Sequence, residues 1–576
     1  MQTFFIAPTR HNVGLTSVSL GVVRCLQNQG LKVGFVKPVA QDMSGIERST
    51  HFARTICQVD SPAALTASHA IQQVSIDETD DLLEEIVTLC MGAGHAADVL
   101  VVEGLHPDAS NPFTTQLNSE MALGLQATVI LVSNANDDAS EVIVAARQYA
   151  NEGVQVGGVI FNKATADFDV AAMQIAIGDT PIWGCVQFDS QLLAPRTLDV
   201  ARHLGAEILI EGELKQRRML ETVVAARAVP EVIRRLKPGA LIVSSGDRDD
   251  VMLATALAAS NGVALAGLVL THNTSADPTV QQFISQALNS GLPVLRTDRD
   301  SFETALAISQ VPLAVPADDD VRMNGVINAV SEQLDTPAII ADVLKPGVKR
   351  LSPPAFRYQL IQKARAANKR IVLPEGEEPR TICAAIACEE KGIAHCVLLG
   401  KRAVIEAIAA SKGLALPASL EILDPDEVRN DYVAPMVELR KSKGLTEIQA
   451  LRQLEDNVVL GTMMLAIDRV DGLVSGAIHT TANTIRPARQ LIKTAPGSSI
   501  VSSVFFMLMP EQVLVYGDCA VNPNPDAEQL AEIAAQSAYS AKAFGIEPKV
   551  AMISYSTGQS GTGADVDKVR SAPEIA

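Results

Sequence analysis

Aromatic side chains make up only 4% of this 576-residue chain, with a single Trp, so its cores have to be built from Ala, Val, Ile and Leu. Aliphatic interiors of that kind belong to helix-covered parallel sheets, and an α/β fold is expected. Cations are also short: 47 Lys and Arg against 66 Asp and Glu leave a formal charge of −19. That field opposes non-specific binding to DNA, RNA or anionic membranes, each of which needs clustered Lys and Arg. A polyanionic ligand must therefore be met by local arginines, and the places where they gather become informative. The eight cysteines, at 25, 57, 90, 185, 383, 388, 396 and 519, form no CxxC pair and have no His at metal-ligand spacing. Buried free thiols in a reducing cytosol explain them, and neither a disulfide framework nor a metal site is expected. No uninterrupted apolar stretch reaches 18 residues, and MQTFFIAPTR lacks the basic segment and long apolar core of a signal peptide. A cytoplasmic protein with no membrane span is the expectation.

What is present is a repeated rhythm. A chain of 576 residues holds about three or four folding units of roughly 100 to 200 residues each. The runs TFFIAP (3–8), KVGFVKP (32–38), DVLVVEG (98–104), ATVILVS (127–133) and VGGVIFN (156–162) are apolar throughout and separated by helix-length segments. Strands buried on both faces read this way, and βαβ units with a parallel, doubly wound sheet follow over residues 1–211. The pattern restarts with ALIVSSG (240–246), VALAGLVLT (263–271) and LPVLRT (292–297), a smaller α/β domain over 212–335. Residues 336–354, ending KPGVKRLSPP, lack periodicity and read as a linker. A third α/β unit begins at 355, with a helix over FRYQLIQKARAANKR and strands IVLPEG (371–376) and HCVLLG (395–400). Within it Gly444 ends a helix, and Thr446 with Gln449 makes a capping box for the next.

The first strand runs into Pro8-Thr9-Arg10-His11-Asn12-Val13-Gly14-Leu15-Thr16-Ser17, the place where a GxxxxGK[ST] loop would wrap phosphates. Pro8 replaces the first Gly and Leu15 the phosphate-binding Lys, which removes the charge a triphosphate site needs. A degenerate nucleotide fold kept for structure or regulation is the reading; Arg10, His11 and the helix start are candidate binders of a small anion or regulatory nucleotide, against a plain solvated loop. With VKPVAQ (36–41) and VVEGLH (101–106), this domain resembles the dethiobiotin synthetase and cobyrinate amidase group of P-loop enzymes. An ATP-dependent ligase would follow from that resemblance, and Leu15 argues against it.

Chemistry concentrates in the third unit. Arg440, Lys441 and Lys443 crowd the end of a helix, where they suit the dipole, phosphate or plain solvent equally. In DGLVSGAIHTTANTIRPARQLIKTAPGSS (471–499), Pro487 is expected at the first helical position with Arg486 at the N-cap. Arg489 and Lys493 then continue a basic stripe, and Ser475, Thr480, Thr481 and Thr484 supply hydroxyls. A helix start with free amides, hydroxyls and an Arg fork is a coherent phosphate site; a polar turn beside a solvated basic face is the alternative.

These segments, with LPEGEEPRT (373–381), QLEDNVVLGTMML, YGDCAVNPNPDAEQLAEIA (516–534) and MISYSTGQSGTG, resemble the catalytic domain of phosphate acetyltransferases. PTRHNVGLTSVSLGVVR, DVARHLGAE and KRLSPPAFRYQL extend the resemblance to the long, three-domain bacterial form, with a DRTGG-like middle domain over 212–335 and the catalytic domain over 355–576. The resemblance implies reversible transfer of acetyl between CoA and phosphate by direct attack of the CoA thiolate on acetyl phosphate, with no metal, no other cofactor and no acetyl-enzyme, in a homo-oligomer. It places the two anion-binding arginines on Arg440 and Arg486, and Ser475 and Thr484 are candidate substrate contacts. The family's Ser-Arg pair and aspartate base lie near the end of the catalytic domain, and no matching segment precedes Ala576. The catalytic residues are thus expected beyond Ala576, with strands 499–507 and 550–554 left without partners. A non-catalytic module for oligomerisation or metabolite sensing is the alternative. No role follows for Asp518, Asn522 or Ser556.

Overall fold

In a computed structural model of the chain, which describes all residues except 42–44, 77, 109–112, 276, 289–290, 346–350, 510–511 and 558–559, the run Gln2–Pro8 forms strand β1. Its Phe4, Phe5 and Ile6 are fully buried, as a strand covered on both faces requires. The chain divides into two units, residues 1–347 and 348–576.

In the first unit, β1 is joined by β2 (Val33–Val36), β3 (Val99–Glu103), β4 (Thr128–Asn134), β5 (Val156–Ala164) and β6 (Ile182–Gln187) in the order β2-β3-β1-β4-β5-β6. Every pairing is parallel. The helix Leu15–Asn28 leaves β1 through Gly14, held at φ 82°, a left-handed conformation that costs glycine least.

The second sheet of that unit contains β7 (Glu207–Ile210), β8 (Glu221–Val224), β9 (Ala240–Ser245), β10 (Gly267–Thr271) and β11 (Val294–Arg296), ordered β7-β11-β10-β9-β8 with β7 antiparallel. Side chains alternate across it as the pleat dictates. Ile242, Leu268 and Val294 pack on one face against the helix Asp249–Ser260. Leu241, Val269 and Leu295 pack on the other against the helices Thr197–Leu204 and Ser301–Ser309.

Two sequence boundaries move. The helix Thr197–Leu204 and β7 belong to the second sheet, because Leu198, Val200, Ala201 and Leu204 bury against it; the first domain therefore ends before 211. The helices Asp320–Glu332 and Thr336–Val343 return to the first sheet's core, where Met323, Val326, Ile327, Val330 and Ile339 join Phe4 and Ile6. The expected linker thus begins as packed helix, since Asp335 caps it and its apolar residues find a core. The approach is close: a Cβ on Gly21 would lie 2.3 Å from Val330 Cγ1.

The second unit holds β12 (Arg370–Leu373), β13 (His395–Leu399), β14 (Glu421–Leu423) and β15 (Gly472–Leu473), all parallel in the order β14-β13-β12-β15. Val372, Val397 and Leu399 pack on one face against Met463, Leu460 and Leu491, and Leu373, Cys396 and Leu398 on the other against Ile382, Ala385 and Ile405. Strand β16 (Val504–Leu508) pairs antiparallel with β17 (Val513–Gly517), so the first of the two strands expected to be unpaired has a partner. Residues 550–554 form no strand.

The α/β reading holds. The cysteines are all free, but only Cys25, Cys57, Cys90 and Cys396 are buried and Cys383 is exposed. Among the described residues no helix is long and apolar enough to cross a membrane.

Candidate functional site

In an open parallel sheet, ligands bind outside the carboxyl ends of the strands where the strand order reverses. From β12 the chain of the second unit steps outward to β13 and β14, then returns to place β15 on β12's other side. The reversal therefore falls between β12 and β15, and the loops leaving their carboxyl ends are 374–380 and 474–480. These are the PEGEEPR and VSGAIHT segments.

The two loops are tied by one carboxylate. Glu375, 6% exposed, accepts hydrogen bonds at Oε2 from the N–H groups of Gly476 (3.0 Å) and Ala477 (2.8 Å). Its Oε1 accepts from the N–H groups of Ile478 and His479 (both 2.9 Å) and lies 2.8 Å from His479 Nδ1. Burial pushes this carboxyl up, but the donors from Ile478, His479 and Ala477 outweigh it and lower the pKa to about 2. Arg380 adds a bond from Nη2 to the Ala477 carbonyl (2.7 Å). Gly376 lets the backbone pass β13, since a Cβ there would lie 2.6 Å from the Leu399 carbonyl oxygen.

The loop enters the helix Thr481–Leu491 through Thr480, whose hydroxyl accepts from the Asn483 N–H (3.3 Å). The expected start at Pro487 is corrected: the hydroxyl N-cap Thr480, seven residues earlier, opens the helix, and Arg486 and Pro487 lie inside it. Arg486 is exposed, with no hydrogen bond or ion pair among the described residues. The basic stripe is shorter than expected, because the helix ends at Leu491 and Lys493 sits beyond it at φ 70°.

Arg440 terminates the helix Val433–Leu439 and donates from Nη1 to the Gln490 carbonyl (3.2 Å), one turn from Arg486 on the same helix. The structure thus brings Arg440 and Arg486 to one helix. Ser475 and Thr484 are placed differently. Ser475 Oγ is buried without a partner among the described residues at the β15 end of the loop, and the Thr484 hydroxyl is turned back to the Thr480 carbonyl (3.4 Å). Lys441 pairs with Glu438 on an exposed surface.

Asp518 and Asn522 organise another turn. The Asp518 carboxylate accepts from the Ser503 hydroxyl, from the N–H groups of Ser503 (3.2 Å), Ala520 (3.2 Å), Val521 (3.3 Å) and Asn522 (2.6 Å), and from Asn522 Nδ2 (2.6 Å). Burial raises its pKa, and the Ser503, Asn522 and Ala520 donors together hold it well below the usual range. Ser556 Oγ accepts from the Gly561 N–H (2.8 Å) within its own turn.

The first unit carries a separate cavity of about 590 Å³ beside the Gly14–Ser17 helix start, lined among others by Asn162, Lys163, His106, Phe188 and Leu313. Leu15 is fully buried, so the position of a phosphate-binding Lys is spent on packing. Arg10 is not free for an anion, since its guanidinium pairs with Asp137. His11 stacks on His106, ring centroids 6.0 Å apart. Burial and the nearby Lys37, His11 and Arg48 lower the His106 pKa to about 3, which keeps that ring neutral. Lys163 Nζ instead reaches the loop, donating to the Asn12 carbonyl (2.5 Å).

Sequence reasoning singled out LPEGEEPRT without giving Glu375 or Arg380 a role. The signal available was an acid-rich turn directly after a buried strand; its partner, about 100 residues away, depends on β12 and β15 being neighbours.

Family models match three stretches: an AAA domain over residues 2–196, a DRTGG domain over 199–311 and the phosphate acetyl/butaryl transferase family over 355–576. The phosphate acetyltransferase of Deinococcus radiodurans is 50% identical over all of this chain and 85% of its own. That of Escherichia coli is 45% identical with the same coverage. Among solved structures, the EutD phosphotransacetylase of Staphylococcus aureus is 40% identical over 38% of this chain and 67% of its own, with a TM-score of 0.36. The family match over 355–576 and the named relatives over the whole chain define an acyltransferase of the phosphate acyl-transfer class. Within that class, the chain belongs to the phosphate acetyltransferase family.

Proposed function

We infer that the chain interconverts acetyl-CoA plus phosphate with acetyl phosphate plus CoA. The observation that carries the reading to a site is the meeting of two arginines at the helix Thr481–Leu491 next to the switch-point loops: Arg486, exposed and without an ion pair among the described residues, and Arg440, anchored from a neighbouring helix end to the Gln490 carbonyl one turn away. In a chain of charge −19, cations so placed serve the anionic ends of CoA and acetyl phosphate. The proposed step is direct. The CoA thiol, with a pKa of about 8.5 if it resembles Cys, gives up its proton. The thiolate sulfur bonds to the acetyl carbon of acetyl phosphate, the carbonyl oxygen carries the transient charge, and the C–O bond to phosphate breaks as phosphate leaves. Neither Glu375 nor Asp518 suits the role of base, since both are held ionised and spent on loop hydrogen bonds. Ser475 and Thr484 remain proposed contacts, the first through its unpartnered hydroxyl.

The reading needs no metal and no cofactor beyond CoA as substrate, and it includes a cytoplasmic homo-oligomer. The cavity beside Gly14–Ser17 supports a metabolite-sensing role for the first unit in addition to turnover. The test is thioester formation from acetyl phosphate and CoA by the purified chain and by its Arg486→Ala variant. Turnover that Arg486→Ala does not slow would remove Arg486 from the site.

A further inference from the structure

Glu375 is nearly inaccessible, and its carboxylate is surrounded by donors from a single stretch of chain: four consecutive backbone N–H groups, 476–479, and the ring of His479. An ionised carboxylate only accepts hydrogen bonds, so the His479 nitrogen facing it, Nδ1, must carry a proton, and Nε2 is left turned away from the carboxylate. His479 has no other hydrogen bond among the described residues, and its side chain is 26% exposed. The four amides are consumed by Glu375 and are not available to a ligand. The 476–479 loop is therefore not an anion cradle; it is wrapped around an internal anion, and it presents its side chains and the Thr480 helix start outward. Arg380 fixes the same loop through the Ala477 carbonyl, so both polar sides of that peptide are held.

We propose that Glu375 is the positioning residue of this site, setting the path of loop 476–479 and locking His479 with its Nδ1–H on the carboxylate, so that Nε2 is turned as a hydrogen-bonding group toward substrate beside the substrate-binding helix. The loop and tautomer parts rest on geometry alone; the use of Nε2 rests on the acetyl-transfer reading above. A buried carboxylate behind an imidazole orients the ring and fixes which nitrogen faces outward, as in carboxylate–histidine pairs generally.

The experiment uses the full chain labelled with ¹⁵N-histidine, its Glu375→Gln, Glu375→Asp and His479→Asn variants, amide hydrogen exchange, ring ¹⁵N shifts and steady-state kinetics with acetyl phosphate and CoA. In the parent chain, amides 476–479 should exchange at least about 100-fold more slowly than exposed loop amides, and the ring signal absent from His479→Asn should be that of the Nδ1–H tautomer. Glu375→Gln replaces one acceptor by a donor and should speed exchange at 476–479, mix the tautomers and lower kcat about 100-fold or more. Glu375→Asp should recover the tautomer and part of kcat. His479→Asn, which keeps a donor toward Glu375, should retain amide protection while losing rate. Unprotected 476–479 amides, an Nε2–H tautomer in the parent, or a Glu375→Gln chain with unchanged exchange and kcat would each overturn the proposal. If the exchange and tautomer results hold while the parent shows no turnover with acetyl phosphate and CoA, the functional reading fails and the loop anchor stands.

Discussion

The substitution Lys37→Met tests how the first unit tolerates buried charge. Lys37 and Glu103 are 4% and 1% exposed, with Nζ 3.3 Å from Oε1. Lys37 also donates to the Gly104 carbonyl (2.5 Å), while Glu103 Oε1 accepts from Ser49 Oγ (2.9 Å) and Thr16 Oγ1 (3.2 Å). Glu103 Oε2 has no hydrogen-bond partner among the described residues. Burial raises the Glu103 pKa, and Lys37 opposes the rise. Met keeps much of the Lys volume and removes the cation, leaving a buried carboxylate uncompensated, which costs about 3–5 kcal/mol near neutral pH. The sign with pH follows. A folded-state pKa raised further by loss of Lys37 means that the folded variant holds a proton the unfolded chain has released. Its stability is thus greatest below the unfolded Glu value of about 4.3 and falls as pH rises toward the raised value. The single Trp, Trp183, is 3% exposed and packs edge-on against Phe4 at 6.0 Å, so its fluorescence reports unfolding of this core alone. Urea titrations should show the variant's midpoint lowered by roughly 1–3 M at pH 8 and by much less at pH 5. Adding Glu103→Gln should recover most of the loss. A loss under about 1 kcal/mol at pH 8, or an equal loss at both pH values, would refute the reasoning.

Arg486→Ala should leave the circular dichroism and melting temperature unchanged, because the side chain is exposed and unpaired, while lowering kcat/KM for acetyl phosphate by roughly 100-fold or more. Gly376→Ala should destabilise the second unit by about 1–3 kcal/mol in thermal unfolding, since its Cβ would press on the Leu399 backbone at 2.6 Å. A neutral Gly376→Ala would mean that the β12–β13 approach relaxes without cost.

Much of the fold could be read locally. FFIA, LVVE and VILVS announce strands buried on both faces, and the Thr446–Gln449 capping box forms as its spacing requires. Strands β6, β7, β8 and β14 escaped notice because they are short or carry polar residues at a sheet edge, where neither periodicity nor apolarity is strong. The linker reading failed because Ile339 is paired with a core more than 300 residues earlier in sequence, a tertiary fact with no local signature. At the site, arginine types and family pattern pointed to Arg440 and Arg486, but local rules misplaced the helix start: Pro487 satisfied one preference while Thr480 satisfied a stronger one. Glu375 was invisible for a different reason. Its partners are set by strand order, which brings residue 375 beside residues 476–479 only once β15 has docked on β12.

The most direct test of the central claim is the balance of products when the purified chain meets acetyl phosphate and CoA, followed as thioester formed and inorganic phosphate released. The account predicts one phosphate per thioester, dependence on both substrates, reversal on adding phosphate to acetyl-CoA, and a marked loss in Arg486→Ala. A folded chain, with Trp183 still buried, that forms no thioester at saturating substrate, either alone or extended by a family-type C-terminal segment, would contradict it.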